Sequence, residues 1–201
     1  MKIIWNGHSC FTVETTDGTL VLDPYADGSV PGFGPLRLKA DRVLCSHGHS
    51  DHGAVSCVTL SGRPCTIEVG EIHTWHDNVQ GKKRGANTIY VMSAEGMKIA
   101  HLGDLGCALT EEQTALLSGL DALMIPVGGF YTIDAEQAIG IVRALRPRVV
   151  IPMHYRWDNH GYDVIATLDP FLQLCDHPVD YAGNVLELMP STPAQTAILR
   201  C

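Results

Sequence analysis

Ser46-His47-Gly48-His49-Ser50-Asp51-His52 is the stretch on which the reading of this chain turns, because it places four side chains able to bind a cation within one short loop. The run Arg42-Val43-Leu44-Cys45 leads into it, so a short buried strand is expected to end where the cluster begins. With ten histidines in 201 residues, the pattern His-x-His-x-Asp-His would arise by chance only about 0.002 times per chain. In a loop leaving a strand, His47 and His49 can point the same way to grip one metal ion, while Asp51 and His52 turn toward a second position. Gly48 and Ser50 are small enough to let the backbone curl. A solvated surface loop is the rival reading, but four adjacent titratable groups without a function would mostly repel one another.

Four ligands cannot complete two metal sites, so further His or Asp residues are expected at other strand ends. Asp104 follows the run Lys98 to Leu102, and His154 follows Val149 to Met153. The segment Ile72-His73-Thr74-Trp75-His76-Asp77 offers two histidines of opposite parity, which face opposite sides of a strand. His76, at the end of the segment, is the expected ligand. His101 is expected as a packed, hydrogen-bonded histidine and His177 as a surface one. His8 and His160 are left open between lining a pocket and no role. Cys45 and Cys107 read as small core residues.

Around these residues the chain reads as one continuous α/β domain spanning residues 1–201. Strands are expected at Lys2 to Trp5, Cys10 to Glu14 and Leu20 to Leu22, with Thr16-Asp17-Gly18 as a hairpin turn. Ile89 to Met92 and Met97 to Leu102 form another pair. Thr110-Glu111-Glu112-Gln113 has the form of a capping box, and Leu116, Leu117 and Leu120 are expected on one face of the helix that follows. The clearest unit is apolar Ala122 to Val127, then Ala138, Ile141, Val142 and Leu145 at helical spacing, a stop at Pro147, and apolar Val149 to Met153. Strand, helix, strand permits a parallel pair with a right-handed crossover, whose carboxyl ends share one edge.

Composition narrows the function. A hydrophobic fraction of 45% and a net charge of −8 describe a folded chain with no general attraction for nucleic acid or anionic lipid. Seven cysteines, an odd count with no Cys-x-x-Cys pair, suggest reduced thiols rather than disulfides or a zinc ribbon. The start Met-Lys-Ile-Ile-Trp-Asn-Gly-His turns polar too early for a signal peptide, and no apolar stretch is long enough to span a bilayer. A cytoplasmic protein acting on a small molecule is expected, without nucleic acid or membrane insertion; oligomeric state is not legible.

The set His47, His49, Asp51, His52, His76, Asp104 and His154 resembles the dinuclear metal signature of the metallo-β-lactamase fold superfamily. Gly7-His8-Ser9-Cys10-Phe11, Asp23-Pro24, Gly81 to Thr88, His101 to Gly106, Ile125 to Gly129 and Ile151 to Tyr155 are similar to the branch containing ascorbate-6-phosphate lactonase and N-acyl-phosphatidylethanolamine phospholipase D. The likeness covers nearly the whole chain. It implies a four-layer αβ/βα sandwich with the site on one edge. It also implies that His47, His49 and His76 hold one metal, that Asp51, His52 and His154 hold the other, and that Asp104 bridges them. Asp23 matches a buried position that orients the ligand loop. The stretch between His52 and His76 is short for the superfamily, which implies an abbreviated helix or strand there and a more open cleft.

Two divalent ions so held, Zn first with Mn or Fe as alternatives, would lower the pKa of a bridging water and polarise a carbonyl or phosphoryl oxygen. Asp51 and Asp104 are therefore the expected catalytic residues, and a small ester, lactone or phosphoester the expected substrate. His8, Tyr131, Tyr155 and His160 are candidates for the leaving-group acid. Lys82-Lys83-Arg84 could attract an anionic substrate or form a solvated turn. Two rivals remain: a flavodiiron-type redox protein, which typically carries a carboxylate at the position of His49 and a flavin domain, and a metal binder without turnover.

Overall fold

The computed structural model describes all 201 residues. In chain order the elements are β1 (Lys2–Trp5), β2 (Phe11–Thr15), β3 (Gly18–Leu22), β4 (Leu38–Ala40), β5 (Arg42–Leu44), β6 (Val58–Leu60), β7 (Glu68–Trp75), β8 (Ala86–Ala94), β9 (Met97–His101), α1 (Glu111–Leu116), β10 (Ala122–Pro126), α2 (Ala135–Leu145), β11 (Val149–Met153), α3 (Asp169–Leu172), β12 (Pro178–Asp180), β13 (Val185–Glu187) and β14 (Gln195–Ile198). Turn chemistry sets the hairpins. Between β8 and β9, Glu95 and Gly96 both adopt positive φ (53° and 72°), the geometry whose twist suits a two-residue connection.

Two sheets face each other. One has the order β13-β1-β2-β3-β5 and the other β12-β14-β11-β10-β9-β8-β7. Alternation along β2 and β3 sends Phe11, Val13, Leu20 and Leu22 into a core of 40 buried residues shared with the second sheet. Each such side chain, fully buried, contributes roughly 1.5–3 kcal/mol. All five residues of β10 and of β11 are buried, as expected of parallel strands covered on both faces. Helix α2 supplies one cover through Ala135, Ala138, Ile139 and Leu145. Its first turn is fastened by a capping box of Asp134 and Gln137.

The outer cover of the first sheet is built differently. Cys10 and Val21 pack against Tyr25, Val30, Leu36, Ala40 and Val58, so the loop after β3 and the β4–β6 pair occupy the place of a helical layer. Between His52 and His76 only a short 3-10 turn (Val55–Cys57), β6 and β7 occur, with no α-helix. Helix α1 has the expected box of Thr110 and Gln113 but ends at Leu116. Leu116 is therefore 54% exposed, and only Leu117 and Leu120 are buried: the three do not share one buried face.

Strand direction decides where the site lies. In the first sheet β1 and β3 run the same way, each antiparallel to β2, and β5 is parallel to β3. In the second, β7 and β9 are each antiparallel to β8, while β10 and β11 continue parallel to β9. The carboxyl ends of β1, β3 and β5 therefore share one edge of their sheet, and those of β7, β9 and β11 share one edge of theirs. The residues just beyond those six ends include His8, Asp23, the His47 to His52 loop, His76, Asp104 and His154. Three of them, His8, Asp23 and His154, adopt left-handed φ values of 52°, 46° and 53°, a conformation that costs non-glycine residues roughly 1–3 kcal/mol and recurs at functional sites.

Candidate metal centre

The side chains at this edge converge into two groups joined by Asp104. His47, His49 and His76 form one, and His8, Asp51, His52 and His154 form the other; within each group the ligand atoms lie within 4.8 Å of one another. Asp104 is buried between them. Its Oδ2 is 3.2 Å from His76 Nε2 and 3.3 Å from His154 Nε2, and its Oδ1 is 3.2 Å from His52 Nε2. The first group opens to solvent through exposed His49, whereas His8, His52 and His154 are buried. Strand parity separates His73 in β7 from His76 just beyond its end: Ile72, Thr74 and His76 point inward, and His73 is exposed.

A second layer of hydrogen bonds fixes these side chains. Asp23, fully buried, accepts from Ser46 N at 2.6 Å and Ser46 Oγ at 2.6 Å, and lies 2.8 Å from His52 Nδ1. This clamp sets the orientation of the ligand loop at both ends. Asn87 on β8 accepts from Asp104 N at 2.8 Å and donates to Leu102 O and Thr74 Oγ1, tying β7, β8 and the end of β9 together. Gly103 (φ 55°) is needed there, since a Cβ would overlap Asn87 Oδ1 and Ser46 Cβ.

Electrostatics keep the central carboxylate ionised and two of the imidazoles neutral. Burial works to raise the Asp104 carboxyl, but the His154 and His52 imidazoles outweigh it and hold the group well below the carboxylate range. Burial and His154 push His8 down to about 4, and burial and His52 push His47 down to about 4. Both are therefore neutral at pH 7 and offer a lone pair. Burial disfavours charge on His52, yet Asp104 and Asp23 raise it well above the usual histidine range.

Whether these residues suit metal ions can be judged from the buried polar atoms. His47 Nε2, His52 Nε2, His154 Nε2, Asp104 Oδ1 and both ring nitrogens of His8 have no hydrogen-bond partner. An unpaired buried polar atom costs about 1–3 kcal/mol, so this concentration on one edge fits a ligand that takes lone pairs. Imidazole nitrogens and carboxylate oxygens are the donor set of Zn, Mn and Fe. The residues fit.

Other expected positions fall elsewhere. His101 is a packed residue, 2.9 Å from Ser9 O through Nε2 and accepting from Gly103 N through Nδ1. Tyr155 is buried and stacked on Trp5, and His160 is stacked on Trp157 against Phe33. Cys45 and Cys107 belong to neither group. His8, left open in the sequence, is central to the second group. Tyr162 carries no signal in the sequence, although its hydroxyl lies 3.2 Å from Asp51 Oδ2 and 2.9 Å from Ser29 O.

A two-sheet α/β sandwich with such a His and Asp cluster at one edge defines a protein of the metallo-β-lactamase fold, and residues 2–154 match the family model described as Beta-lactamase superfamily domain. The UPF0173 metal-dependent hydrolase of Thermoplasma acidophilum is 31% identical over 188 residues, covering 77% of this chain and 83% of that protein. The UPF0173 protein of Pyrococcus furiosus is 32% identical over 182 residues, with coverage of 77% and 83%. A crystal structure of a candidate Zn-dependent hydrolase of the metallo-β-lactamase superfamily from Thermotoga maritima superposes with a TM-score of 0.77 at 33% identity, covering 98% of this chain and 97% of that one. The chain belongs to the beta-lactamase superfamily, within the UPF0173 metal-dependent hydrolase family. No helix is long and apolar enough to cross a membrane.

Proposed function

We propose that this protein hydrolyses a small ester, lactone or phosphoester, with two divalent cations held by His47, His49, Asp51, His52, His76, Asp104 and His154. The observation that carries this reading is the convergence of buried, unpartnered nitrogen and oxygen atoms from five strand ends onto one edge. Relatives named metal-dependent hydrolases support the reaction class. When bound, such cations supply Lewis acidity to an electrophilic oxygen and bring the pKa of a water toward neutrality. The chain does the rest. Asp104 places negative charge between the two groups, and Asn87 and Asp23 keep the ligands aimed. Asp51, whose side chain keeps 13% exposure, can hold the attacking water by its hydrogen.

The test is elemental analysis of protein purified without added metal, run beside His49→Ala and a panel of aryl esters, lactones and phosphodiesters. About two equivalents of Zn or Mn are expected, falling together with hydrolysis in the variant. No metal at all would overturn the proposal, and so would iron with redox-active visible absorption, the signature of the oxygen-chemistry rival.

The rim of the site supports a substrate that carries negative charge. Asp77, directly after His76, accepts four backbone N–H bonds, from Val79, Gly81, Lys83 and Arg84, at 2.8 to 2.9 Å. Those bonds hold the following loop in one shape, so Arg84 is presented by a rigid element. Its guanidinium lies 5.3 Å from the Tyr131 ring and has no carboxylate partner, and Tyr131 packs edge-on against Tyr162 beside Asp51. Lys82 and Lys83 are exposed in the same loop. Arg84→Gln is expected to raise KM for an anionic ester on the order of tenfold more than for its neutral analogue, the size of one lost charge-assisted hydrogen bond. Equal shifts for the two esters would remove Arg84 from substrate binding.

A further inference from the structure

We propose that His8 is itself a protein ligand at the second cation position, beside Asp51, His52 and His154. With Asp104 shared, that position then has five protein donors and suits an ion that takes six ligands, such as Mn2+ or Fe2+. This rests on the two-cation reading above but goes beyond it, because it gives the second position one donor more than the first.

His8 has no structural occupation that would account for its place. It is fully buried, and neither ring nitrogen has a hydrogen-bond partner. A histidine kept only for packing would ordinarily satisfy at least one ring nitrogen, as His101 does through Ser9 O and Gly103 N. The His8 ring instead lies against His154, with centroids 4.2 Å apart, and faces His52 at 5.4 Å. Its Nε2 is 3.4 Å from Asp51 Oδ2. One ligand atom from each of these four residues lies within 4.8 Å of every other.

The backbone is bent to achieve this. Gly7 and His8 both have positive φ, 100° and 52°, which turns the chain back immediately after β1. The His8 carbonyl is then held by Trp5 Nε1 at 2.9 Å and by His154 N at 3.4 Å, so the turn is fastened to β1 on one side and to the end of β11 on the other. A left-handed conformation at a bulky residue persists only where the surroundings over-determine it. Here the result is to direct one imidazole inward next to another.

The contrast with the first position gives the proposal its content. His47, His49 and His76 with Asp104 make three nitrogens and one oxygen, the four-donor set that Zn accepts. His8, His52, His154, Asp51 and Asp104 make three nitrogens and two oxygens, one donor beyond a tetrahedral set. A mixed occupancy follows, with Zn at the open position and a six-coordinate ion at the buried one.

The protein, given one equivalent each of Zn2+ and Mn2+, tests this by electron spin-echo spectroscopy of the bound Mn2+. Three directly ligating imidazole nitrogens are expected in wild type, from His8, His52 and His154, falling to two in His8→Gln; two in wild type, or three retained in the folded variant, would overturn the role of His8 while leaving the two-cation reading intact. His8→Gln and His8→Ala are then compared with wild type in chelator competition, with circular dichroism to establish folding. The second equivalent is expected to weaken by at least about tenfold with the first unchanged, and equal affinity for the second equivalent in a folded variant would overturn the proposal. A wild-type protein that binds fewer than two ions would overturn the two-cation reading and this inference together.

Discussion

Asp104→Asn is expected to leave at most one equivalent of metal bound and to lower kcat/KM on the order of a thousandfold, beyond the 10- to 100-fold typical of residues that only support a ligand. The reason is position rather than charge alone. Asp104 is the one side chain that stands within 3.3 Å of imidazoles from both groups, with Oδ2 serving His76 and His154 and Oδ1 serving His52. Asparagine keeps the shape and the backbone bond to Asn87, but it removes the negative charge and turns an amide N–H toward nitrogens that must present lone pairs. Elemental analysis and steady-state rates on the same sample check this, with thermal unfolding to confirm a folded variant. Two retained equivalents and activity within roughly tenfold would show that the two groups do not depend on a shared carboxylate.

The difference between Asp104 and His8 shows what a sequence displays and what it conceals. Asp104, His76 and His154 each stand just beyond an apolar or alternating run, so strand ends could be read and their edge inferred. The loop His47 to His52 is contiguous and needs no tertiary information at all. His8 also stands beyond a strand, yet its orientation depends on left-handed φ at His8 and on a bond from Trp5 Nε1, neither of which leaves a mark in the pattern. Tyr162 reaches Asp51 across 111 positions of sequence through a loop seated on Pro31 by the Gly161 N–H. Only the folded chain brings those together. The C-terminal strands are hidden for another reason. All three residues of β12 are exposed and β13 is only three residues long, so neither shows useful periodicity; β13 is defined by pairing with β1, Lys2 opposite Glu187. Leu116 departs from the face expected of it because α1 stops there and does not carry Leu117 and Leu120 on in helical geometry.

Asp23→Ala is expected to be the most destabilising single change near the site at a residue that is not itself a proposed ligand, costing about 3–5 kcal/mol in the metal-free protein and 10- to 100-fold in metal affinity. Its carboxylate is fully buried and serves three donors: Ser46 N, Ser46 Oγ and His52 Nδ1. Burial works to raise the Asp23 carboxyl, but His52 outweighs it, so the group is held below the ordinary carboxylate range and is ionised near neutral pH. Alanine would leave the Ser46 N–H and the His52 Nδ1–H without an acceptor in the interior, and the His52 ring without the bond that aims Nε2 at Asp104. Backbone strain contributes as well. Asp23 has φ 46°, where alanine pays roughly 1 kcal/mol that aspartate partly avoids. Asp23→Gly separates the two causes, because glycine accepts that φ freely yet supplies no acceptor. If the lost hydrogen bonds dominate, alanine and glycine variants differ by only about 1 kcal/mol in urea unfolding and lose metal affinity equally. A glycine variant as stable as wild type, with full metal affinity, would show instead that the backbone turn after β3, not the carboxylate, positions the ligand loop.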